Sequence, residues 1–340
     1  MDTPVIQFIL QIAVSLLPVF VFLAALILID SYKLVTLRSI VVTMVFGGLS
    51  AGVGLFLNTW LLADLFSDEV LFIRYVAPVI EEVVKAVYFI YLMRSKKIGF
   101  MVDAAIQGFA IGSGFALVEN LYYLGTLSEP NLMVWLIRGL GTAIMHGGTT
   151  AIFAVMGKNI ADVKGKESLS VFLPGLGIAV IIHSLFNHFF LPPLLSTISV
   201  LIVLPSVLLI VFQQSEKSTR TWLGVGFDTD VEMLEMIKKG GISTTKIGMY
   251  LHTLQDKFAP EVVVDLLCYL RIYLELAIQA KGILMMRESG FDVPPDPTVQ
   301  DQFNEMQYLE RSIGKTGLLA LAPFIHTSSR DLWQLHTLKT

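Results

Sequence analysis

Along the first two thirds of the chain, apolar residues run nearly unbroken for about 20 positions at a time, the length a helix needs to cross ~30 Å of hydrocarbon. Seven such runs occur, at about 6–29, 39–63, 70–93, 100–125, 131–157, 169–192 and 194–213. The last two are joined only by Leu191-Pro192-Pro193-Leu194, a tight reversal. From about residue 214 the pattern changes, and apolar residues recur at helical spacing within polar sequence over 228–239, 243–258, 260–289 and 298–321. Asp228 and Ser243 predict helix starts, Gly240-Gly241 and Gly290 predict stops, and the PPDP of 294–297 predicts a break. The expected fold is all-α: a polytopic transmembrane bundle of about seven spans over 1–213, then a C-terminal helical soluble domain over 214–340.

Composition supports this division. Hydrophobic residues make up 54% of the chain and charged residues 15%, as expected of a polytopic membrane protein. Residues 1–213 carry 11 Lys and Arg and 12 Asp and Glu, whereas the shorter remainder carries 13 and 16. The net charge of −4, with no basic run denser than Arg94, Lys96 and Lys97, excludes nucleic acid as an expected partner. A single cysteine, Cys268, rules out an intramolecular disulfide or a multi-cysteine zinc site, and its setting suggests the buried face of a soluble helix. With no basic segment before it and no small-residue cleavage site after it, the first run is expected to be a retained span.

Basic residues fall after every second span: Lys33 and Arg38, then Arg94, Lys96 and Lys97, then Lys158, Lys164 and Lys166, then Lys217 and Arg220. The intervening loops hold Asp64, Asp68, Glu69 and Glu129. This alternation predicts an N-terminus outside and a C-terminus in the cytoplasm.

Against this apolar background, ionisable and polar residues sit inside the spans: Glu81, Glu82 and Lys85; Glu119 and Asn120; His146; and His183, Asn187 and His188. A charged side chain at a helix centre costs roughly 2.5–3.5 kcal/mol on insertion scales, so it persists where partners or function hold it. Glu81 and Glu82 lie about 11 to 12 residues into the third span, roughly 16–18 Å deep at 1.5 Å per residue. The four groups can meet between the midplane and the outer leaflet. Lys85 lies i+4 from Glu81 and i+3 from Glu82, so it can neutralise one carboxylate while the other faces the bundle centre, for which Glu82 is favoured. Gly108, Gly112 and Gly114, with Gly139, Gly141, Gly147 and Gly148, allow the fourth and fifth spans to approach closely and bring Glu119 near His146.

Two histidines and several carboxylates in a desolvated site can hold a divalent metal with a position open for water. Alternatively, a glutamate can activate water itself, with His and Asn orienting it. Both routes hydrolyse an amide. No HExxH spacing and no serine-nucleophile motif is present.

Glu81-Glu82-x-x-Lys85, Phe115-x-x-x-Glu119-Asn120, His146 in MHGGTT and His183-x-x-x-Asn187 stand in the order, and on the successive spans, of the PrsW family of intramembrane proteases. The resemblance covers the motif core at 70–192, and that family is grouped with type II CAAX prenyl proteases and bacteriocin-immunity proteins. Glu119 in place of His, and EExxK in place of EExxxR, make the chain similar to the PrsW branch. The resemblance implies an endopeptidase of a bacterial plasma membrane that cleaves membrane-anchored regulators such as anti-sigma factors. On this reading Glu82 or Glu81 is the general base, Lys85 tunes that pair, and Asn187 orients His183. His146, His183 and Glu119 are ligands if a metal, expected to be Zn2+, is bound; a glutamate-only mechanism stays open. The tail is an addition to the family pattern, and its expected cytoplasmic side suits docking of a regulatory protein.

A rival reading makes the same residues a proton or cation relay in a transporter or channel, against which stands the lack of a two-fold repeat of the spans. A catalytically idle receptor whose tail recruits partners is a third. Blander roles are expected elsewhere. Asp103 lies near the cytoplasmic edge and is expected to be solvated, Arg138 can pair with Glu119, and His188 is expected to be interfacial. His252, His326 and His336 in the tail have no carboxylate at ligand spacing.

Overall fold

The computed structural model describes residues 3–127, 131–165, 168–188, 190–239, 246–291, 296–325 and 338. All regular structure among them is helical. The chain divides into two compact units, Met1–Glu216 and Lys217–Thr340.

The first unit begins with α1 (Thr3–Ile29) and α2 (Leu37–Leu65), the latter started by Thr36, whose hydroxyl accepts from the Ser39 amide. A short α3 (Glu69–Leu71), capped by Asp68, passes through a π-turn (Phe72–Val76) into α4 (Ala77–Arg94). After α5 (Met101–Thr126) the same device recurs: α6 (Leu132–Ile137), capped by Asn131, passes through a π-turn (Arg138–Thr142) into α7 (Ala143–Lys164). A 3-10 turn (Leu169–Val171) leads to α8 (Leu173–Asn187), and α9 begins at Pro193.

Among the described residues, six helical stretches are long and apolar enough to cross a membrane: Ile6–Ile29, Leu37–Leu65, Met101–Thr126, Leu132–Lys164, Leu169–Asn187 and Pro193–Lys238. The remaining expected span is helical over 69–94 but carries Glu69, Arg74, Glu81, Glu82, Lys85 and Arg94, so its charge sets it apart. The all-α polytopic bundle expected from the hydropathy pattern is the one observed.

Helix α5 is the axis of this unit, buried on nearly every face and packed most extensively against α7 and α2. Its glycines make that possible. A Cβ on Gly112 would overlap the His146 carbonyl of α7, and one on Gly114 would overlap the Met44 carbonyl of α2. Such backbone contact needs no hydrophobic drive and suits helices surrounded by lipid. Phe22 stacks on Phe109 on one side of α5, and Phe89, Phe153 and Phe172 cluster on the other. Two residues expected in or near water are buried. The Asp103 carboxylate accepts through Oδ2 from the Gly99 and Phe100 amides at the start of α5, so it is held by capping while buried. Lys158 is buried and pairs with Asp162 at 2.6 Å.

Helix α9 (Pro193–Lys238) continues through the unit boundary, so Asp228 lies inside a helix and is not the N-cap expected. The second unit takes residues 217–238 of α9, α10 (Lys246–Leu254), α11 (Pro260–Glu288) and α12 (Val299–Leu321). Its core is formed by Leu266, Leu270, Leu274, Ala277 and Phe303 with their neighbours, and half-buried Cys268 packs against it. Gly290 (φ 85°) ends α11 in the left-handed conformation only glycine adopts cheaply, and Gly314 (φ 62°) kinks α12. Lys281 and Asp230 form a buried ion pair at 2.6 Å. His252 is exposed. Gly240-Gly241, Ser243, Pro294-Pro295, Glu129, Lys166, His326 and His336 lie outside the described residues.

Candidate functional site

The four polar groups of the spans converge in the first unit. Glu82 and Lys85, one turn apart on α4, are fully buried and paired at 2.5 Å. The same Glu82 oxygen, Oε1, accepts from Thr149 of α7 at 3.3 Å and meets His183 Nδ1 of α8 at 2.8 Å. A carboxylate oxygen accepts, so His183 carries its proton on Nδ1 and keeps the Nε2 lone pair free. That free nitrogen lies 3.8 Å from Glu81 Oε2.

His146 of α7 is held by a parallel arrangement. Lys85, which can only donate, gives an N–H to His146 Nδ1 at 3.2 Å, and its ammonium lies 5.0 Å from the centre of the Phe115 ring. On the other edge of the imidazole, Nε2 lies 2.9 Å from Glu119 Oε2 of α5. The approach is out of line for a hydrogen bond, and Glu119 Oε2 is a buried oxygen without a donor. Arg138, in the π-turn before α7, takes the other Glu119 oxygen at 3.2 Å and Asn120 Oδ1 at 3.1 Å, and stacks over Tyr123 at 3.9 Å. The Arg138–Glu119 pairing expected from the spans therefore forms. The two imidazoles meet edge to face, with ring centroids 4.7 Å apart.

One donor set gathers between these arms. Glu81, His146 and His183 each offer a ligand atom within 4.8 Å of the others, and among the described residues no other group of histidine, cysteine, aspartate and glutamate does so. Glu119 stands one step back, behind His146, and Glu82 one step back, behind His183. The side chains of Glu81 and Glu119 are 16% and 24% exposed, against 1% for Glu82, so they are the carboxylates a ligand can reach.

Asn187 takes a hydrogen-bond partner other than His183. Its Nδ2 donates to the Ile73 carbonyl at 3.1 Å, and Ser184 donates to the Arg74 carbonyl at 2.6 Å. The π-turn before α4 breaks the regular carbonyl ladder, and α8 satisfies it, locking the helix that carries His183 to the one that carries Glu81 and Glu82. His188 packs against Tyr75 and Phe190, away from the donor set. Two residues of the site had not been singled out from the sequence. Thr149 lies within the MHGGTT run, one turn after His146, and Asn58 of α2 donates to Glu81 Oε1 at 3.0 Å. Asn58 carried a legible signal, a lone amide deep in an apolar run.

The sequence model described as "PrsW family intramembrane metalloprotease" matches residues 35–211, just over half of the chain. The chain belongs to the PrsW family. Comparison with curated proteins and with solved structures finds no match. As a PrsW protein it is an integral membrane protein and an intramembrane metalloprotease, hence a peptidase. The residues present fit a metal: His183 Nε2 and a Glu81 oxygen are available as they stand, His146 joins them once Lys85 releases its Nδ1, and the three leave a further position open.

Proposed function

We propose that this PrsW protein cleaves peptide bonds of membrane-anchored protein substrates, anti-sigma-factor-like regulators among them, at a centre held by Glu81, His146 and His183. The convergence of those three donor atoms within 4.8 Å carries the reading. A divalent ion there, with Zn2+ favoured by the nitrogen and oxygen donors, supplies Lewis acidity and lowers the pKa of bound water.

The chain's own residues do the rest. Glu82 fixes His183 through Nδ1–H, and Lys85 neutralises Glu82, so the imidazole offers Nε2 in one orientation. On the other side Arg138 holds Glu119, whose Oε2 lies 2.9 Å from His146 Nε2. Glu82 Oε1 takes three donors, which removes its standing as the favoured base. Glu119, whose Oε2 has no other donor, takes the proton from the attacking water and returns it to the leaving amine. Asn187 braces α8, the helix that carries His183, through its bond to the Ile73 carbonyl.

The protease domain is assigned to 1–213 and the appended helical domain to 214–340. The former lies in a bacterial plasma membrane with its N-terminus outside, and the latter docks a regulatory protein in the cytoplasm. The purified protein in nanodiscs, assayed on single-pass reporter helices, tests the reading. Cleavage that disappears on exhaustive chelation and returns with Zn2+ is expected. Undiminished cleavage by the metal-free protein would overturn the metal assignment.

A further inference from the structure

Asn58 is the polar residue of the site that the proposed reaction leaves unused. Its amide orientation follows from its partner, since a carboxylate oxygen accepts only and Nδ2 must be the atom 3.0 Å from Glu81 Oε1. Oδ1 is thereby turned away from Glu81. It is buried and accepts from nothing. A buried carbonyl without a donor is costly, and an amide oxygen is a poor competitor of imidazole and carboxylate for an ion such as zinc. The donor that fits is an N–H brought by a bound molecule.

We propose, resting on the peptidase reading, that Asn58 Oδ1 accepts a main-chain N–H of the substrate beside the bond that is cleaved, so that α2 supplies a substrate-binding residue to a site otherwise built from α4, α5, α7 and α8. The acceptor carries a specificity consequence. In an intact transmembrane helix each N–H is already given to the carbonyl four residues earlier, so Asn58 binds only a segment whose helix has opened. Glycine or proline near the cleaved bond eases that opening, and substrates with such residues at membrane depth are the class selected.

Ester substitution tests this contact directly. In a single-pass reporter peptide cleaved by the wild-type protein, peptide N–H groups around the cleaved bond are replaced one at a time by ester oxygen. One position is expected to lower kcat/KM about three- to tenfold in the wild type and to have no effect in Asn58→Leu, with both proteins assayed at saturating metal because Asn58 also donates to Glu81. Asn58→Ala gives the same comparison where leucine disturbs packing. An ester penalty of equal size in both proteins, or no sensitive position, would overturn the proposal. A wild-type protein that cleaves no reporter would remove the peptidase reading itself, and this proposal with it.

Discussion

Each unit of this protein buries a lysine against a carboxylate, and the two pairs are alike in isolation. Lys85 meets Glu82 at 2.5 Å and lies 5.0 Å from the Phe115 ring centre; Lys281 meets Asp230 at 2.6 Å and lies 5.2 Å from that of Trp222. What separates them is what the carboxylate and the ammonium touch next. Glu82 holds His183, Lys85 reaches His146, and Glu81 completes a donor set between the two imidazoles. Among the described residues no such set gathers around Lys281 and Asp230. A buried ion pair is therefore a structural device by default, since it repays its desolvation only with good geometry. It becomes part of a reaction site when further elements bring convergent donors to it.

The largest expected effects fall on the donor set. His183→Ala and Glu81→Ala should each lower turnover of a single-pass reporter by at least about 1000-fold while the protein still inserts and purifies, because each removes a donor of the proposed metal centre. Equal activity in either variant would break the contrast between the two pairs.

Lys85→Met and Lys281→Met sharpen that contrast. Each removes the lysine partner of a buried carboxylate, at a cost of about 3–5 kcal/mol. Thermal and denaturant unfolding should show a loss in both. Reporter cleavage should collapse only for Lys85→Met, with Lys281→Met keeping its bound metal. Adding Asp230→Leu to Lys281→Met should recover most of the lost stability, since a matched apolar pair is often no worse than the ion pair it replaces.

Arg138→Gln should cost about 10- to 100-fold in activity or metal affinity, the usual effect of losing a partner behind a ligand. Metal titration by competition with a chelating dye would read it. The smallest effect belongs to the second unit alone. Burial pushes the Tyr269 hydroxyl up to about 12. The folded state thus holds this proton more tightly than the unfolded state, whose tyrosine titrates near 10. Stability from this group is complete below pH 10 and is lost as the pH rises from about 10 to 12. Unfolding of the protein followed against pH should show that loss, and Tyr269→Phe should remove it.

The sequence carried the fold further than it carried the site. Unbroken apolar runs and helical spacing mark nearly every helix because lipid leaves the backbone few alternatives. The continuity of α9 past Asp228 was hidden, since an acidic residue ahead of an apolar pattern reads as a cap whether or not the preceding helix stops. Glu81, Glu82, Lys85, Glu119, His146 and His183 were all legible as costly residues at membrane depth. Their division of labour was not. Spacing alone leaves Lys85 free to pair with either glutamate, and only packing against α7 and α8 hands it Glu82 and frees Glu81. The role of Asn187 depends on a π-turn, a local widening that no residue pattern announces.

The central claim is that Glu81, His146 and His183 hold a metal while Glu82 and Glu119 stand behind the histidines. Metal content per chain, measured for purified wild-type, Glu81→Gln and Lys281→Met proteins, tests it most directly. About one equivalent of ion in the wild type and in Lys281→Met, with almost none in Glu81→Gln, is the predicted result. A full equivalent retained by Glu81→Gln would contradict it.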